Sequence, residues 1–504
     1  MRDYHWGHEN LLYKYIMEAA LFFQSKLSNR TYTHNSIMDK FFEHGEEPVS
    51  PHGQYFNSSV ICSYIFGFLE LAISSDDSLA IPLIKDVFLP INPRFSSIMV
   101  RHKDGKMRWK KVEVNPDEHV KIPSFPETSN SSPIEFYDNY FSDYVTSILT
   151  SKTPQDKPLW EIHIINYPTT SAASTIIFKL HHALGDGYSI MAALLSCLQR
   201  ADDPSLPLSF PSRPQLDSKY EDKSLFKKLC LGVSSFFSSI SDFGSSIIKT
   251  RMIPDDITPI RSGYEGIESQ PAILSNISFS LDQIKEIKSK LGVTINDVIC
   301  GMIFYGLRLY MEEMNEKTKR ANSTAIVMLN TRNIGGYQSL KEMQKPEFKS
   351  LWGNKLSFLQ IPIPKLNQSG ISNPLEFVWE ARELIKRKKS SFSVYLIGLL
   401  MDLEMKLRGP EAVSKIIYDT IGNTSVVISN MVGPVEKMSL ANHPVNGLYF
   451  TMTGGPQEIN ITIMSYVKIL RVTMNTLKGF IDEEKLKFCM EKAFEVIFKA
   501  SKIS

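Results

Sequence analysis

Residues 174–198 constrain this chain more than any other segment. Ser174-Thr175-Ile176-Ile177-Phe178-Lys179-Leu180 is a β-branched, apolar run with the character of a strand. Tyr188 to Leu198 repeats its apolar residues at helical spacing. Between them lies His181-His182-Ala183-Leu184-Gly185-Asp186-Gly187. Two histidines and an aspartate therefore sit where a strand ends and a helix begins, the place where α/β folds gather their chemistry. Gly185 and Gly187 are expected to allow a sharp turn. A neutral imidazole in such a loop can remove a proton near pH 7. A buried loop histidine and an N-capping aspartate would account for one His and one Asp. The doubled His followed by Asp-Gly, in its strand–loop–helix context, favours a catalytic loop.

The 504 residues exceed what one core holds comfortably, since single cores stop growing near ~250–300 residues. Strands and helices are expected in both halves, which fits two similar α/β domains without a sequence repeat. The formal net charge of +2 and the lack of a long basic run argue against nucleic acid as a partner. Cys62, Cys197, Cys230, Cys300 and Cys489 are far apart, with no Cys-x-x-Cys, so neither a disulfide framework nor a metal site is expected. No secretory signal is read near Met1. The longest apolar stretch, Val60 to Ile73, is broken by Ser63 and Glu70 and falls short of the ~20 residues of a spanning helix.

Residues 1–45 read as an N-terminal extension, and 46–200 as a first domain carrying the histidine loop. Residues 201–272 read as a linker, and 273–504 as a second domain. Ser97 to Val100 and Trp109 to Val114 are expected to form a hairpin around Asp104-Gly105. Pro158 to Ile165 should pair with the strand that delivers His181. Within the linker, Leu225 to Ile248 sets Phe226, Phe236, Phe237 and Phe243 on a Ser-rich background, an amphipathic pattern that fits core packing or a membrane interface. In the second half, strands are expected at 273–279, 325–329, 355–362 and 425–428, with further strands within 462–474. Helices are expected at 281–291, from Thr294 through Tyr310, and at 482–499. Thr294 and Asp297 form a variant of the capping box, so Asp297 reads as a cap.

Several motifs occur in one order: Ser50-Pro51-x-Gly53-Gln54-Tyr55-Phe56, Asn92-Pro93-Arg94-Phe95, Pro158-Leu159-Trp160-Glu161, the histidine heptapeptide, Asn296-Asp297-Val298, Asn330-Thr331-Arg332, Gly353-Asn354 and Ser429-Asn430-Met431-Val432-Gly433-Pro434. From about Glu46 onward the chain resembles the plant wax ester synthase/diacylglycerol acyltransferase family. The resemblance implies two chloramphenicol-acetyltransferase-like α/β domains with a tunnel between them. It implies transfer of an acyl group from acyl-CoA to a long-chain fatty alcohol or to diacylglycerol. CoA is then a cosubstrate, and no metal or prosthetic group is implied. The implied location is the cytosolic face of the endoplasmic reticulum, with the plasma membrane as a second site, through peripheral contact.

The resemblance also assigns roles. His182 is the expected general base, with His181 supporting the loop and Gly187 closing the motif. Asp186 is expected to orient the loop through an ion pair with Arg332. Asn296, Ser429 and Asn430 are candidate donors to the oxyanion of the tetrahedral intermediate. Two other readings compete. One is a soluble HxxxD-type acyl-CoA transferase for small phenolic or amine acceptors. Such enzymes carry Asp-Phe-Gly-Trp-Gly in their C-terminal part, whereas Ser241-Asp242-Phe243-Gly244-Ser245 lies mid-chain and lacks the Trp. The other is a non-catalytic lipid-binding protein, against which the intact histidine motif speaks.

Overall fold

The computed structural model describes residues 46–103, 106–127, 133–210, 253–318, 320–330, 338–339, 352–354, 356–366, 373–389, 401 and 403–503. The extension 1–45 and the amphipathic stretch 225–248 lie outside the described residues.

Two large sheets organise these segments. In chain order their strands are β1 (Tyr64–Leu71), β2 (Val120–Lys121), β3 (Trp160–Ile165), β4 (Ser174–His181), β5 (Gln199–Arg200), β6 (Ala272–Ser280), β7 (Thr324–Asn330), β8 (Leu356–Pro362), β9 (Val426–Val432), β10 (Met438–Leu440), β11 (His443–Thr453), β12 (Ile459–Tyr466) and β13 (Ile469–Leu477). The main helices are α1 (Pro51–Tyr55), α2 (Pro133–Thr150), α3 (Gly187–Ser196), α4 (Leu281–Leu291), α5 (Ile295–Met314), α6 (Pro374–Lys389), α7 (Pro410–Gly422) and α8 (Glu483–Ile503). The first sheet runs β2-β3-β4-β1-β11-β10-β5, and the second β6-β13-β12-β9-β7-β8. The hairpin expected around Asp104-Gly105 forms between Ser97–Arg101 and Met107–Lys111, and Glu46–Pro48 adds a third strand to it.

β1 explains the long apolar stretch at 60–73. It is the central strand of the first sheet, between β4 and β11. Ile65, Leu69 and Leu71 face a core that includes α3, while Phe66 and Phe68 face α2. A strand covered on both faces has no polar alternation to show. Its one charge, Glu70, meets Arg471 of β13 at 2.7 Å.

The partner of β1 on its other edge comes from far along the chain. β11 pairs antiparallel with β1, Thr453 opposite Tyr64, so residues 438–453 of the second half complete the first sheet. Side-chain bonds fasten it to the second sheet, Asn475 Nδ2 donating to Met452 O at 3.0 Å. Alternation along the chain says nothing of such a crossing.

The second half is locally determined. Ser280 caps α4 and Gly292 ends it in the left-handed region at φ 63°, so the helix occupies the expected 281–291. Thr294 and Asp297 close the capping box of α5, with bonds of 2.8 and 3.2 Å. α5 is buried between the sheet and helices α6 and α8. Together α4 and α5 have the length and composition of a bent span, at 101° to each other, but α5 is a core helix here. Among the described residues no single helix is long and apolar enough to cross a membrane.

Candidate active site

β4 delivers the histidines to one end of the first sheet, pairing with β3 as the sequence leads one to expect. His181 is the last residue of the strand and His182 the first beyond it. The backbone N–H of His182 donates to Ser63 O at 2.8 Å, and Ser63 Oγ donates to Thr453 O at 2.8 Å. The histidine is thus tied across the ends of three adjacent strands.

The two rings have different surroundings. His181 is fully buried, edge-on against Tyr64 with centroids 4.9 Å apart. Its Nδ1 accepts from Ala183 N at 3.0 Å, so its proton sits on Nε2, which faces Cys62 Sγ at 3.6 Å. Both nitrogens are used. Burial, reinforced by the neighbouring His182, pushes its pKa down to about 3. His182 is 3% exposed and stacks on Phe56, centroids 4.1 Å apart at 24°. Phe56 follows α1, a one-turn helix started by Ser50 and Pro51. The His182 Nδ1 has no hydrogen-bonding partner among the described residues. Burial lowers the His182 pKa, while Asp186, its own carbonyl and the Asn354 side chain oppose that shift. A ring with a lowered pKa is neutral at pH 7 and so able to accept a proton.

Asp186 caps α3, its Oδ1 accepting from Ser189 N at 3.1 Å, and is buried. The proposed partner Arg332 lies outside the described residues. Gly185 and Gly187 differ from expectation, since neither has a positive φ. Close packing demands them: a Cβ on Gly187 would sit 2.8 Å from Met431 Sδ, and one on Gly185 2.9 Å from Ser189 Cβ.

A three-residue segment from the second half reads the loop from outside. Trp352 Nε1 donates to Leu184 O at 2.9 Å, and Asn354 Nδ2 donates to His182 O at 2.8 Å. Gly353 exchanges bonds with Ser189 Oγ at 3.0 and 3.1 Å. Gly353 has φ 108°, a backbone region natural only to glycine. Arg94 adds a bond from Nη1 to Leu184 O at 3.2 Å. Phe56, Arg94, Gly353 and Asn354 occur in the motifs that carry the family resemblance, but their contact with the loop had no signal in local periodicity.

The oxyanion candidates separate. Asn430 Nδ2 donates to Asn296 Oδ1 at 3.1 Å, joining β9 to the start of α5. Side chains alternate along a strand, so Ser429 projects from the other face of β9, the face of Met431 that touches Gly187. Among the described residues no group of three or more His, Cys, Asp or Glu side chains converges as a metal site.

Comparison with known proteins fits this arrangement to a family. Residues 90–299 match the wax ester synthase/diacylglycerol acyltransferase catalytic domain, and 352–498 match the C-terminal domain of the same family. Wax ester synthase/diacylglycerol acyltransferase 11 of Arabidopsis thaliana is 30% identical over 447 residues, covering 85% of this chain and 90% of the relative. The chain belongs to the wax ester synthase/diacylglycerol acyltransferase family. It is an acyl-CoA-dependent acyltransferase. The wax ester synthase/diacylglycerol acyltransferase from Marinobacter aquaeolei VT8 shares its fold, with a TM-score of 0.56 and 15% identity over 90% of this chain and all of that one. The EpoB cyclization-docking bidomain from Sorangium cellulosum is also similar in fold, with a TM-score of 0.54 and 12% identity over 98% of this chain and 91% of that one. The two-domain acyltransferase fold expected for a family member is therefore present, and the histidine loop lies inside the matched catalytic domain.

Proposed function

We propose that this acyltransferase joins the acyl group of acyl-CoA to a long-chain fatty alcohol, giving a wax ester, with diacylglycerol as a second acceptor. The observation that carries the mechanism is the state of His182. It is a buried ring kept neutral by burial, in the matched catalytic domain. An alcohol is a poor nucleophile at pH 7 because it holds its proton. His182 Nε2 takes that proton as the alcohol oxygen bonds to the thioester carbonyl carbon. The tetrahedral oxyanion needs hydrogen-bond donors. Asn296, Ser429 and Asn430 are the candidates, since the bond from Asn430 Nδ2 to Asn296 Oδ1 leaves the Asn296 amide N–H groups and a second N–H on Asn430 as donors. The C–S bond then breaks, and the imidazolium returns its proton to the CoA thiolate. Base, donors and cosubstrate balance the reaction, so no resident cofactor is needed.

The test is product analysis with palmitoyl-CoA offered both hexadecanol and diacylglycerol. Wild-type protein should release CoA and form palmityl palmitate, and His182→Ala should lose ~10²–10⁴-fold in turnover with its fold intact. Equal turnover by the two would remove His182 from the mechanism.

These acceptors are almost insoluble in water, so the enzyme meets them at a bilayer. We place it on the cytosolic face of the endoplasmic reticulum, held peripherally by the Phe-bearing stretch Leu225 to Ile248, with Lys227 and Lys228 toward anionic headgroups. Co-sedimentation with anionic liposomes should fall when Phe236 and Phe237 are both replaced by Ser. Unchanged binding by a folded double variant would move the membrane site elsewhere.

A further inference from the structure

The Asn354 amide has two different polar atoms, and one of them is bonded to the histidine loop. Its Nδ2 donates to the carbonyl of His182 at 2.8 Å. That bond fixes the amide's orientation, because the reverse would set one carbonyl oxygen against another. Oδ1 is thereby left as a buried acceptor with no partner, and His182 Nδ1 is a buried nitrogen with no partner. The side chain is 6% exposed and the ring 3%, so water does not readily satisfy either. Two complementary orphans beside one hydrogen bond are a costly arrangement unless they serve each other.

We infer that Asn354 is a positioning residue that sets the tautomer of His182: Nδ1–H turns to Asn354 Oδ1, and the Nε2 lone pair is left for the acceptor hydroxyl. The inference rests on His182 as the base. An imidazole protonated at Nε2 would present a donor to the alcohol and could not deprotonate it, so the partner at Nδ1 decides whether the ring is active. The sequence neighbours of Asn354 hold it in place, Trp352 on Leu184 O and Gly353 on Ser189. Around the ring the titratable groups are few among the described residues. Asp186 favours the protonated ring and His181 is kept neutral by burial, while Phe56 and Asn354 are uncharged. The Asn354 side chain also favours the protonated ring, the sign expected of an acceptor at Nδ1.

The test uses the full chain labelled with ¹⁵N-histidine, with the His182 signals assigned by their loss in His182→Ala. At pH 7.5 wild-type His182 should show a protonated Nδ1 and a pyridine-type Nε2. Asn354→Leu should shift the ring toward Nε2–H and lower kcat by ~10–10²-fold, the range seen when an orienting partner is lost. Its KM for acyl-CoA should change less than twofold, and the acid limb of its pH profile should move to lower pH. Asn354→Asp keeps an acceptor and adds charge, so it should retain Nδ1–H and move the acid limb to higher pH. Nε2–H in the wild type would overturn the inference even if Asn354→Leu does not fold. So would an unchanged tautomer in Asn354→Leu, which would assign the role to the His182 carbonyl. Wild-type turnover in His182→Ala would instead refute the base, a separate failure that the tautomer signals do not report.

Discussion

Two groups of ionisable side chains are buried in the first sheet, and they are buried differently. Around β3 and β4, Lys179 Nζ meets Glu161 Oε2 at 3.1 Å and donates to Ser151 Oγ at 2.6 Å. His163 Nε2 lies 3.5 Å from the same carboxylate, and its Nδ1 pairs with Tyr144 Oη at 2.7 Å. The charges there are matched by each other, although His163 Nε2 at 3.5 Å makes no hydrogen bond. Two residues beyond Lys179 the strand reaches the histidine loop, where His181 is fully paired and His182 keeps a buried nitrogen without a partner. The lesson is that burial alone marks neither site. A buried charge that serves the fold is matched, because an unmatched one is costly. At His182 no ion pair matches the ring among the described residues: Phe56 stacks on it and Asn354 holds its carbonyl.

Substitutions on the two sides should therefore fail in opposite ways. His182→Ala carries the largest effect, orders of magnitude in turnover, with a melting temperature near wild type. Lys179→Met breaks the matched cluster from one side and should cost about 3–5 kcal/mol of stability, read by thermal or urea unfolding. Turnover per folded molecule should change far less. Tyr144→Phe removes one hydrogen bond from that cluster and should cost about 1 kcal/mol. A Lys179→Met protein that unfolds like wild type, yet has lost turnover, would break the distinction.

Much of this fold is legible in the sequence, and the exceptions share a cause. Helix α4 has both its ends written locally, in Ser280 and Gly292, and its boundaries match the expected ones. The strand–loop–helix around His182 is equally local. In the sequence β1 reads only as an apolar stretch, because burial on both faces removes the alternation that marks a strand. The pairing of β11 with β1 joins residues nearly 400 positions apart, and no local signal encodes it. The site divides in the same way. His181, His182 and Asp186 announce themselves within one heptapeptide. Phe56 on the His182 ring and Asn354 on its carbonyl come from separate segments, and only the folded chain shows what they touch. The glycines of the loop were legible as glycines but not in their reason, which is packing against Met431 and Ser189 and not a left-handed turn.

The central claim is that a buried, neutral His182 is the base, and the pH dependence of kcat/KM for palmitoyl-CoA and hexadecanol tests it most directly. Burial lowers the His182 pKa below its ordinary value of 6.5, so the ring stays base-competent as pH falls through that value and protonates only below it. The profile should be level from pH 8 to 6.5 and fall on a single acid limb whose midpoint lies below 6.5. An acid limb centred at or above 6.5, or a limb of the same position and height in His182→Ala, would contradict the account.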